Sequence, residues 1–276
     1  MSDPRVVLVT GASSGNGRAI AMLLAQHGYR VFGTSRAPAR AAAAPGVEML
    51  ELDVCTDESV RACVAAVLEK VHRIDVLVNN AGYELAGALE ETSLDEARAQ
   101  LETNFFGVVR TTKAALPAMR ERRNGQIVNV SSLAGLAVLP FMGMYTASKF
   151  ALEGYSEALR HEVKPFGVHV SLIEVGFLNT PMQAHRQHAA ERIADYDAAR
   201  RNALDAVAEQ EARGPGAELI AHTVLRIAGS RSPRLRYVVG RQARVATRLQ
   251  RWLPAGMFEQ GLRRSFRLDA VGEPTG

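Results

Sequence analysis

Short apolar runs rich in β-branched residues alternate with longer stretches of helical periodicity over most of the chain. The apolar runs predict strands and the periodic stretches predict helices, because side chains repeat with different spacing in the two structures. The predicted strands span residues 5–10, 29–35, 47–54, 74–81, 125–132 and 167–175, with a late strand at 236–240. The predicted helices span residues 17–27, 57–71, 95–122 and 146–164.

This order of elements predicts the fold class. Strands separated by helical segments are joined by right-handed crossovers, which give a parallel sheet with helices on both faces. The apolar runs are almost continuous, as is typical of strands that are buried on both sides. The pattern therefore predicts an α/β protein built on a doubly wound parallel sheet.

The segments after the predicted core have a different character. Residues 182–214 are polar and charged, with helical stretches and no predicted strand. A long polar excursion after the last core strand is typical of a mobile lid over a site. We expect one domain over residues 1–276, with a core at about 5–180, a substrate lid at about 180–214 and a C-terminal helical extension at about 241–276.

Composition narrows the class of protein. The chain has 276 residues, of which 47% are hydrophobic, so it can bury a sizeable core. Its two cysteines, Cys55 and Cys63, are too few for a disulfide framework and fit a reduced intracellular protein. No apolar run approaches the ~18–20 residues that span a bilayer, and the apolar strand from Val6 to Val9 begins too early for a cleavable signal. We therefore expect a cytoplasmic protein.

Positive charge is concentrated near the end of the chain. The net charge is only +4, but eleven arginines and a single acid, Glu259, lie between residues 226 and 267. The arginines alternate with apolar residues such as Trp252 and Leu262, as in an amphipathic helix. A basic run of this kind can meet phosphate or an anionic membrane. We favour the interpretation that these arginines face solvent or pair with acids elsewhere in the chain. Peripheral membrane contact stays an open alternative. No nucleic-acid partner is expected.

The stretch VLVTGASSGNGRAI at residues 7–20 is a strand, a turn rich in glycine and serine, and the start of a helix. Its glycines let the backbone turn tightly and approach a pyrophosphate, which binds to the unpaired N–H groups of the helix N-terminus. The spacing is G-x-x-x-G-x-G rather than G-x-G-x-x-G, and a glycine turn can also be needed for sterics alone. Its place in the first strand-to-helix unit favours a nucleotide site. The candidate cofactor-binding residues here are Gly11, Ser13, Ser14, Gly15, Asn16 and Gly17.

The end of the second predicted strand distinguishes the two nicotinamide dinucleotides. NAD sites of this kind usually carry an acid there that binds the ribose 2′-hydroxyl. This chain has GTSRAPAR, in which Ser35 and Arg36 stand where the acid is expected. A carboxylate would repel a 2′-phosphate, whereas the guanidinium of Arg36 can pair with it. The sequence therefore favours NADP(H) over NAD(H).

Five separate stretches occur in a characteristic order. They are TGASSGNG (10–17), NNAG (79–82), Asn104 in NFFG, Ser132 in NVSS and YTASK (145–149). Over about residues 5–180 this combination closely resembles the short-chain dehydrogenase/reductase family, and LPFMGMYTASKFALEG (139–154) resembles its steroid- and retinoid-type, NADP-preferring branch. The resemblance implies a Rossmann-like fold and an oxidoreductase that interconverts a ketone or aldehyde and its alcohol by hydride transfer.

The resemblance also implies a catalytic tetrad of Asn104, Ser132, Tyr145 and Lys149. Hydride addition to a carbonyl builds negative charge on oxygen, so Tyr145 would supply a proton or, in oxidation, accept it. Lys149 lies four positions on along a helix, and we expect its ammonium to lower the pKa of the phenol. Lys149 would also hold the nicotinamide ribose, Ser132 would orient the substrate oxygen, and Asn104 would hold a water in a proton relay.

Further cofactor contacts follow from the same resemblance. Asp53 is similar to the family's aspartate near the adenine ring, and Thr180, in EVGFLNT (174–180), would lie near the carboxamide. Val175 departs from the family's usual proline and Asn16 from its usual aliphatic residue; the latter change adds a polar contact near the phosphates. The further cofactor-binding candidates are Ser35, Arg36, Asp53, Val54, Asn80, Ala81, Gly82, Tyr145, Lys149, Gly176 and Thr180.

Two histidines raise a metal hypothesis. His185 and His188 are three positions apart and would face one way on a helix. No cysteine or acid cluster in the sequence completes the set of ligands that a metal usually requires. We expect no metal site.

The segment LAGLAVLPFMGM at residues 133–144 is strongly apolar and lies between the candidate catalytic serine and tyrosine. Core packing explains some of these side chains, but if several line a cavity the substrate has a large apolar body. The candidates are Leu139, Phe141, Met142 and Met144; the family resemblance implies that Phe177, Leu178 and Met182 lie on the opposite wall. An aliphatic, steroid-like or aromatic ketone or alcohol is favoured by analogy.

Two other functions stay open. The arginines could meet a phosphopantetheine or a carrier protein, which would make the enzyme a 3-oxoacyl thioester reductase. A non-catalytic NADP-binding regulator is the second alternative, although it has no need of the Tyr145–Lys149 pair. The resemblance also implies a homodimer or homotetramer packed through the long helices near residues 95–122 and 146–164.

Overall fold

A seven-stranded parallel sheet forms the centre of the molecule. The computed structural model describes residues 3–42, 44–180 and 186–270. The strands are β1 Val6–Val9, β2 Arg30–Ser35, β3 Val47–Glu51, β4 Val76–Asn79, β5 Leu85–Ala86, β6 Gly125–Val130, β7 Val168–Val175, β8 Gln187–His188 and β9 Arg236–Val239. The central sheet has the order β3-β2-β1-β4-β6-β7-β9, and each neighbouring pair in it is parallel.

The helices lie on both faces of this sheet. In the described part of the chain they are α1 Gly15–Gln26, α2 Asp57–Val71, α3 Leu94–Leu101, α4 Gly107–Glu121, α5 Gly143–Val163, α6 Asp197–Ala212, α7 Glu218–Ala228, α8 Arg241–Trp252 and α9 Ala255–Ser265. The side chains of β1 alternate between the two layers: Val7 and Val9 pack with α1 and α7, whereas Val6 and Leu8 pack with α2, α4 and α5. The predicted doubly wound α/β sheet is therefore confirmed.

The predicted helix at 95–122 is interrupted. A π-helical turn, Glu102–Phe106, separates α3 from α4. At its centre the buried Asn104 exchanges two hydrogen bonds with the backbone of Tyr83: Nδ2 donates to the carbonyl oxygen over 2.9 Å, and Oδ1 accepts from the N–H over 3.0 Å. Apolar periodicity does not report such a turn, because the partner lies in a distant loop. π-Turns of this kind are frequent at functional sites.

The polar segment after β7 contains a strand that the sequence analysis did not predict. β8 pairs in parallel with β5, and the N–H of Gln187 donates to the carbonyl oxygen of Glu84 over 2.9 Å. A pairing of two residues has no apolar pattern of its own, so the prediction of no strand in 182–214 was wrong. His188 lies on this exposed strand rather than on a helix, and His185 and Met182 lie outside the described residues. The described part of the chain holds no group of metal-ligating side chains.

The arginine-rich end forms two helices. α8 ends and α9 begins around Leu253 and Pro254, because proline cannot continue a helix and disfavours helical geometry in the residue before it. Several arginines pair with acids, as we favoured: Arg236 with Glu153, Glu157 and Glu174, Arg263 with Asp269, and Arg267 with Glu209. Among the described residues, no helix combines the length and the apolar character needed to cross a bilayer.

Candidate active site

The candidate site lies at the carboxyl edge of the sheet, where open α/β sheets bind their ligands. The loop after β1 carries the glycine turn, and the loop after β4 carries Asn80. Ser132 follows β6, and Gly176 follows β7. All four loops face the first turns of α5, which carry Tyr145 and Lys149. Sequence-distant segments therefore meet at one edge because the strands are parallel.

The four candidate catalytic side chains line one cavity of about 70 Å³. Tyr145 and Lys149 are both buried, at 7% and 8% exposure. Ser132 lines the same cavity, and its Oγ accepts from the N–H of Ala134 over 3.1 Å. The Lys149 ammonium lies 5.7 Å from the centroid of the Tyr145 ring and donates to the carbonyl oxygen of Val130 over 3.0 Å. Asn104 reaches the same cavity from the π-turn.

Burial controls the protonation of this pair. Desolvation raises the pKa of Tyr145 above its ordinary value; the charge of Glu84 adds to the rise, and the interaction with the Ser132 side chain opposes it. Desolvation also lowers the pKa of Lys149 to about 8, although Glu84 and Glu153 act in the other direction. The expectation that Lys149 lowers the pKa of Tyr145 is therefore not met here, because burial disfavours both charged forms. The phenol keeps its proton near neutral pH.

A second groove, of about 660 Å³, runs along the glycine turn. Gly11 has a φ of +66°, which favours glycine. At Gly17 a Cβ atom would stand only 2.1 Å from the carbonyl oxygen of Gly11, so α1 can approach the turn only without a side chain there. Ser14 caps α1 without a side-chain hydrogen bond, which leaves the first N–H groups of the helix to a ligand. Gly11, Ser13, Ser14, Gly15 and Asn16 line this groove.

The far end of the groove is formed by the residues after β2 and β3. Ser35, Arg36, Asp53 and Val54 line it, with the Arg36 side chain exposed at the rim. One oxygen of Asp53, Oδ1, accepts from the N–H of Cys55 over 2.9 Å and so fixes the loop. These positions lie where the adenosine half of a dinucleotide extends from a glycine turn.

The loop after β4 braces the turn. Nδ2 of Asn80 donates to the carbonyl oxygens of Thr10 and Gly11 over 3.0 and 3.2 Å. Its Oδ1 and that of Asn16 are buried and have no hydrogen-bond partner within the described residues. Asn16 lines the catalytic cavity of Tyr145 as well as the groove. It therefore lies nearer to the candidate catalytic residues than a contact with the phosphates alone requires. Buried acceptors without a partner fit a ligand that offers hydroxyl and amide donors. A nicotinamide dinucleotide offers both.

The remaining candidates lie where the cradle meets the catalytic cavity. Ala81 and Gly82 line the groove, and Gly82 also lines the cavity together with Val175, Gly176 and Thr180. Thr180 is the last residue described before the gap at 181–185 and is 8% exposed. The structure thus brings these candidates to one continuous surface.

An apolar groove of about 540 Å³ opens beside the catalytic cavity. Leu133, Leu139 and Phe177 line both spaces, so the groove adjoins the cavity. Leu139, Met142, Phe177 and Leu178 line the catalytic cavity as predicted, whereas Phe141 instead packs edge-on against Tyr196. The outer wall is formed by α8 and α9, through Val245, Ala246, Leu249, Met257, Phe258 and Leu262, and by Phe266 directly after α9.

Three charged residues beside Tyr145 escaped the sequence analysis. Glu84, Arg186 and Glu211 form a buried cluster, and Glu84 and Glu211 line the catalytic cavity. They come from the loop before β5, the segment before β8 and the end of α6. No motif or spacing links three such distant positions, so the sequence carried no pattern that indicates them.

A comparison with known families assigns the chain. A model described as short chain dehydrogenase matches residues 5–191, and the chain belongs to this family. The match ends before α6, so the model does not cover α8 and α9, the outer wall of the apolar groove.

Curated relatives indicate the branch. The chain is 39% identical over 264 residues to 3-ketodihydrosphingosine reductase of Bacteroides thetaiotaomicron, and the match covers 95% of this chain and 97% of the relative. It is 44% identical to retinol dehydrogenase 8 of Homo sapiens and 44% identical to 17-beta-hydroxysteroid dehydrogenase type 1 of Mus musculus. These matches span 63% and 64% of this chain, but only 58% and 55% of the respective relatives. The predicted steroid- and retinoid-type resemblance is confirmed, and the chain is an oxidoreductase of CH–OH and C=O groups.

Solved structures agree on the fold and on the cofactor class. A short-chain dehydrogenase from Streptomyces avermitilis superposes with a TM-score of 0.80 at 32% identity, over 99% of this chain and 100% of that one. A relative from Burkholderia phymatum, solved with NAD, has a TM-score of 0.78 at 29% identity over 90% and 93% of the two chains. A metagenomic oxidoreductase solved with NADP has a TM-score of 0.67 at 29% identity over 86% and 98%. A nicotinamide dinucleotide is therefore the cofactor class of this protein.

Proposed function

We propose that this protein is an NADP(H)-dependent ketoreductase for an elongated, largely apolar substrate, with Tyr145 as the general acid. One observation carries the proposal: Tyr145 and Ser132 line a cavity that shares Leu133, Leu139 and Phe177 with the adjoining apolar groove. A substrate whose carbonyl binds at Tyr145 can therefore place a long apolar tail along α8 and α9. The similarity to a 3-ketodihydrosphingosine reductase over nearly the whole chain supports reduction of a ketone.

The four candidate catalytic side chains have different roles in the proposed reaction. A bound NADPH supplies the hydride. Ser132 and Tyr145 hold the carbonyl oxygen by hydrogen bonds, and Tyr145 gives up its proton as charge develops there. Lys149 faces the same space and would hold the ribose hydroxyls, and its positive charge would offset part of the cost of burying the phenolate that remains. Asn104, held by Tyr83, positions the water through which the phenol regains a proton.

The choice of NADP(H) rests on Arg36. Its side chain lines the rim of the dinucleotide groove, and Ser35 beside it holds the loop by accepting from the N–H of Ala37 over 3.2 Å. Strand β2 ends in GTS and Arg36 follows, so the strand end itself carries no carboxylate to bind a ribose 2′-hydroxyl. A guanidinium at this position favours a 2′-phosphate.

Replacing Arg36 with aspartate is expected to lower the NADPH/NADH ratio of kcat/KM by about 100-fold, since a charge-assisted contact is lost and a repulsion is added. The measurement is steady-state turnover of one ketone with each cofactor. Arg40→Asp is the matched control, because Arg40 is an exposed arginine on the same connection outside the groove. An unchanged ratio in Arg36→Asp would count against the NADP(H) assignment.

The apolar groove is tested through Leu249, which lines it on α8 and is 44% exposed. Leu249→Asp is expected to raise KM for long-chain ketones roughly 10-fold, because a buried tail loses apolar contact worth about 1.5–3 kcal/mol. KM for a short ketone such as a butanone should stay near the wild-type value. Leu219→Asp, at 39% exposure on α7, is the matched control away from the groove. Equal effects on long and short ketones would contradict tail binding in the groove.

The oligomeric state, the membrane contact and the cellular location remain predictions. Phe106 and Phe150 are 45% and 44% exposed in the region of the long helices, which supports the proposed homodimer or homotetramer. Light scattering after size-exclusion chromatography measures the oligomeric state.

Trp252 is 78% exposed at the end of the arginine-bearing α8, which supports peripheral membrane contact. Co-sedimentation with anionic vesicles checks this contact. The cytoplasmic location is still based on the low number of cysteines.

A further inference from the structure

The cluster of Glu84, Arg186 and Glu211 has more negative than positive charge. Arg186 donates to Oε2 of Glu84 from Nε over 2.9 Å and from its terminal nitrogen over 2.7 Å. The same terminal nitrogen reaches Oε1 of Glu211 over 2.5 Å. One guanidinium thus serves two carboxylates, whose side chains are only 12% and 8% exposed.

One oxygen of the cluster is left over. Oε2 of Glu211 is buried and has no hydrogen-bond donor within the described residues. Glu211 lines the catalytic cavity, which it shares with Tyr145 and Ser132. A buried carboxylate oxygen without a donor is costly, and a buried charge is tolerated only when it is paired. Within the part of the chain that the structure describes, this oxygen therefore lacks a donor that a cation entering the cavity would supply.

The titration of Glu211 agrees with this geometry. Burial raises its pKa to about 7, the charge of Arg186 opposes the rise, and the charge of Glu84 adds to it. A single arginine does not compensate for the burial of this carboxylate. A second positive charge beside it would favour the ionised form.

The position of the free oxygen limits which molecule can supply that charge. The catalytic cavity is about 70 Å³ and shares Leu133, Leu139 and Phe177 with the adjoining apolar groove. Such a space accepts a small polar head close to the reacting carbonyl, whereas the rest of the molecule must be apolar. A primary ammonium is small and offers three donors.

We propose that Glu211, assisted by Glu84, binds an ammonium group that the substrate carries next to its reacting carbonyl. The substrate is then a long-chain α-amino ketone, with the ammonium at the carboxylates, the carbonyl at Tyr145 and the alkyl tail along α8 and α9. Arg186 positions both carboxylates and leaves Oε2 of Glu211 for the substrate. This inference rests on the proposed ketoreductase function and adds the charge of the substrate to it.

The test compares two ketones that differ only in the amino group: 3-ketodihydrosphingosine and its deaminated analogue. With NADPH, the wild-type protein is expected to show a kcat/KM for the amino ketone about 10- to 100-fold above that for the analogue. Glu211→Gln should bring the ratio of the two values close to one, and Glu84→Gln should lower it less. Glu209→Gln is the matched control: it removes a partly exposed glutamate of the same helix that pairs with Arg267, and it should keep the wild-type ratio.

The outcomes separate the two proposals. Equal kcat/KM values for the two ketones in the wild-type protein would overturn the ammonium site and leave the ketoreductase standing; this comparison needs no variant to fold. A wild-type preference that survives in both Glu211→Gln and Glu84→Gln, with melting temperatures near the wild-type value, would overturn the role of these carboxylates. Failure to oxidise NADPH with either ketone would overturn the ketoreductase itself and the inference with it.

Discussion

Replacing Tyr145 with phenylalanine is expected to lower kcat for carbonyl reduction by about 10²- to 10⁴-fold, the range typical of the loss of a general acid. The change removes the hydroxyl and leaves the ring in its apolar surroundings with Leu133, Leu139 and Met142. Because the phenol is buried and its pKa is raised, the hydroxyl carries its proton throughout the neutral range. The measurement is the loss of NADPH absorbance with a long-chain ketone.

Cofactor binding separates a chemical defect from a structural one. NADPH affinity of Tyr145→Phe, followed by fluorescence titration, should remain within a few-fold of the wild-type value, because Lys149 and the glycine turn are untouched. Tyr155→Phe is the matched control on the same helix: Tyr155 packs in the layer of α2 and α4, where its ring makes an edge contact with Phe105. A Tyr145→Phe protein with wild-type kcat would remove the basis of the proposed mechanism.

The second large effect is expected at Gly17. In Gly17→Ala the new methyl group would lie 2.1 Å from the carbonyl oxygen of Gly11 and 2.5 Å from Nδ2 of Asn80. The turn must open to relieve this overlap, and overpacking of this kind costs about 1–3 kcal/mol of stability. The hydrogen bonds from Asn80 to the turn are strained at the same time, so NADPH affinity should fall by about 100-fold.

Affinity by titration and melting temperature by calorimetry measure the two parts of this effect. Gly154→Ala is the control: Gly154 lies in α5, and a methyl group added there would meet no neighbouring atom within 4 Å, so alanine should be tolerated with a small gain in stability. Wild-type NADPH affinity in Gly17→Ala would show that the glycine turn does not form the pyrophosphate site.

The sequence was informative where a feature repeats locally. The strands and the helices of the core follow from apolar periodicity, and parallel strands bring Gly11, Asn80, Ser132 and Gly176 to one edge without any further information. Features made by single long-range contacts were missed. Two examples are the pairing of β8 with β5 and the π-turn at Asn104, whose partners lie in other segments.

Electrostatics was the least predictable part of the site. The spacing of Tyr145 and Lys149 was visible in the sequence, but their burial was not, and burial determines both pKa values. The charges of Glu84 and Glu211 reach Tyr145 only through the fold. A sequence pattern gives the identity and spacing of titratable groups, whereas the dielectric surroundings that set their behaviour come from the packed structure.

The outer wall of the apolar groove comes from α8 and α9, beyond the region that the family model covers. The groups proposed to carry out the chemistry all precede residue 181, on the sheet and its first helices. Evolution can therefore change the two parts separately. Substitutions in α8 and α9 alter which lipophilic molecules are admitted, while the reaction performed on them is preserved.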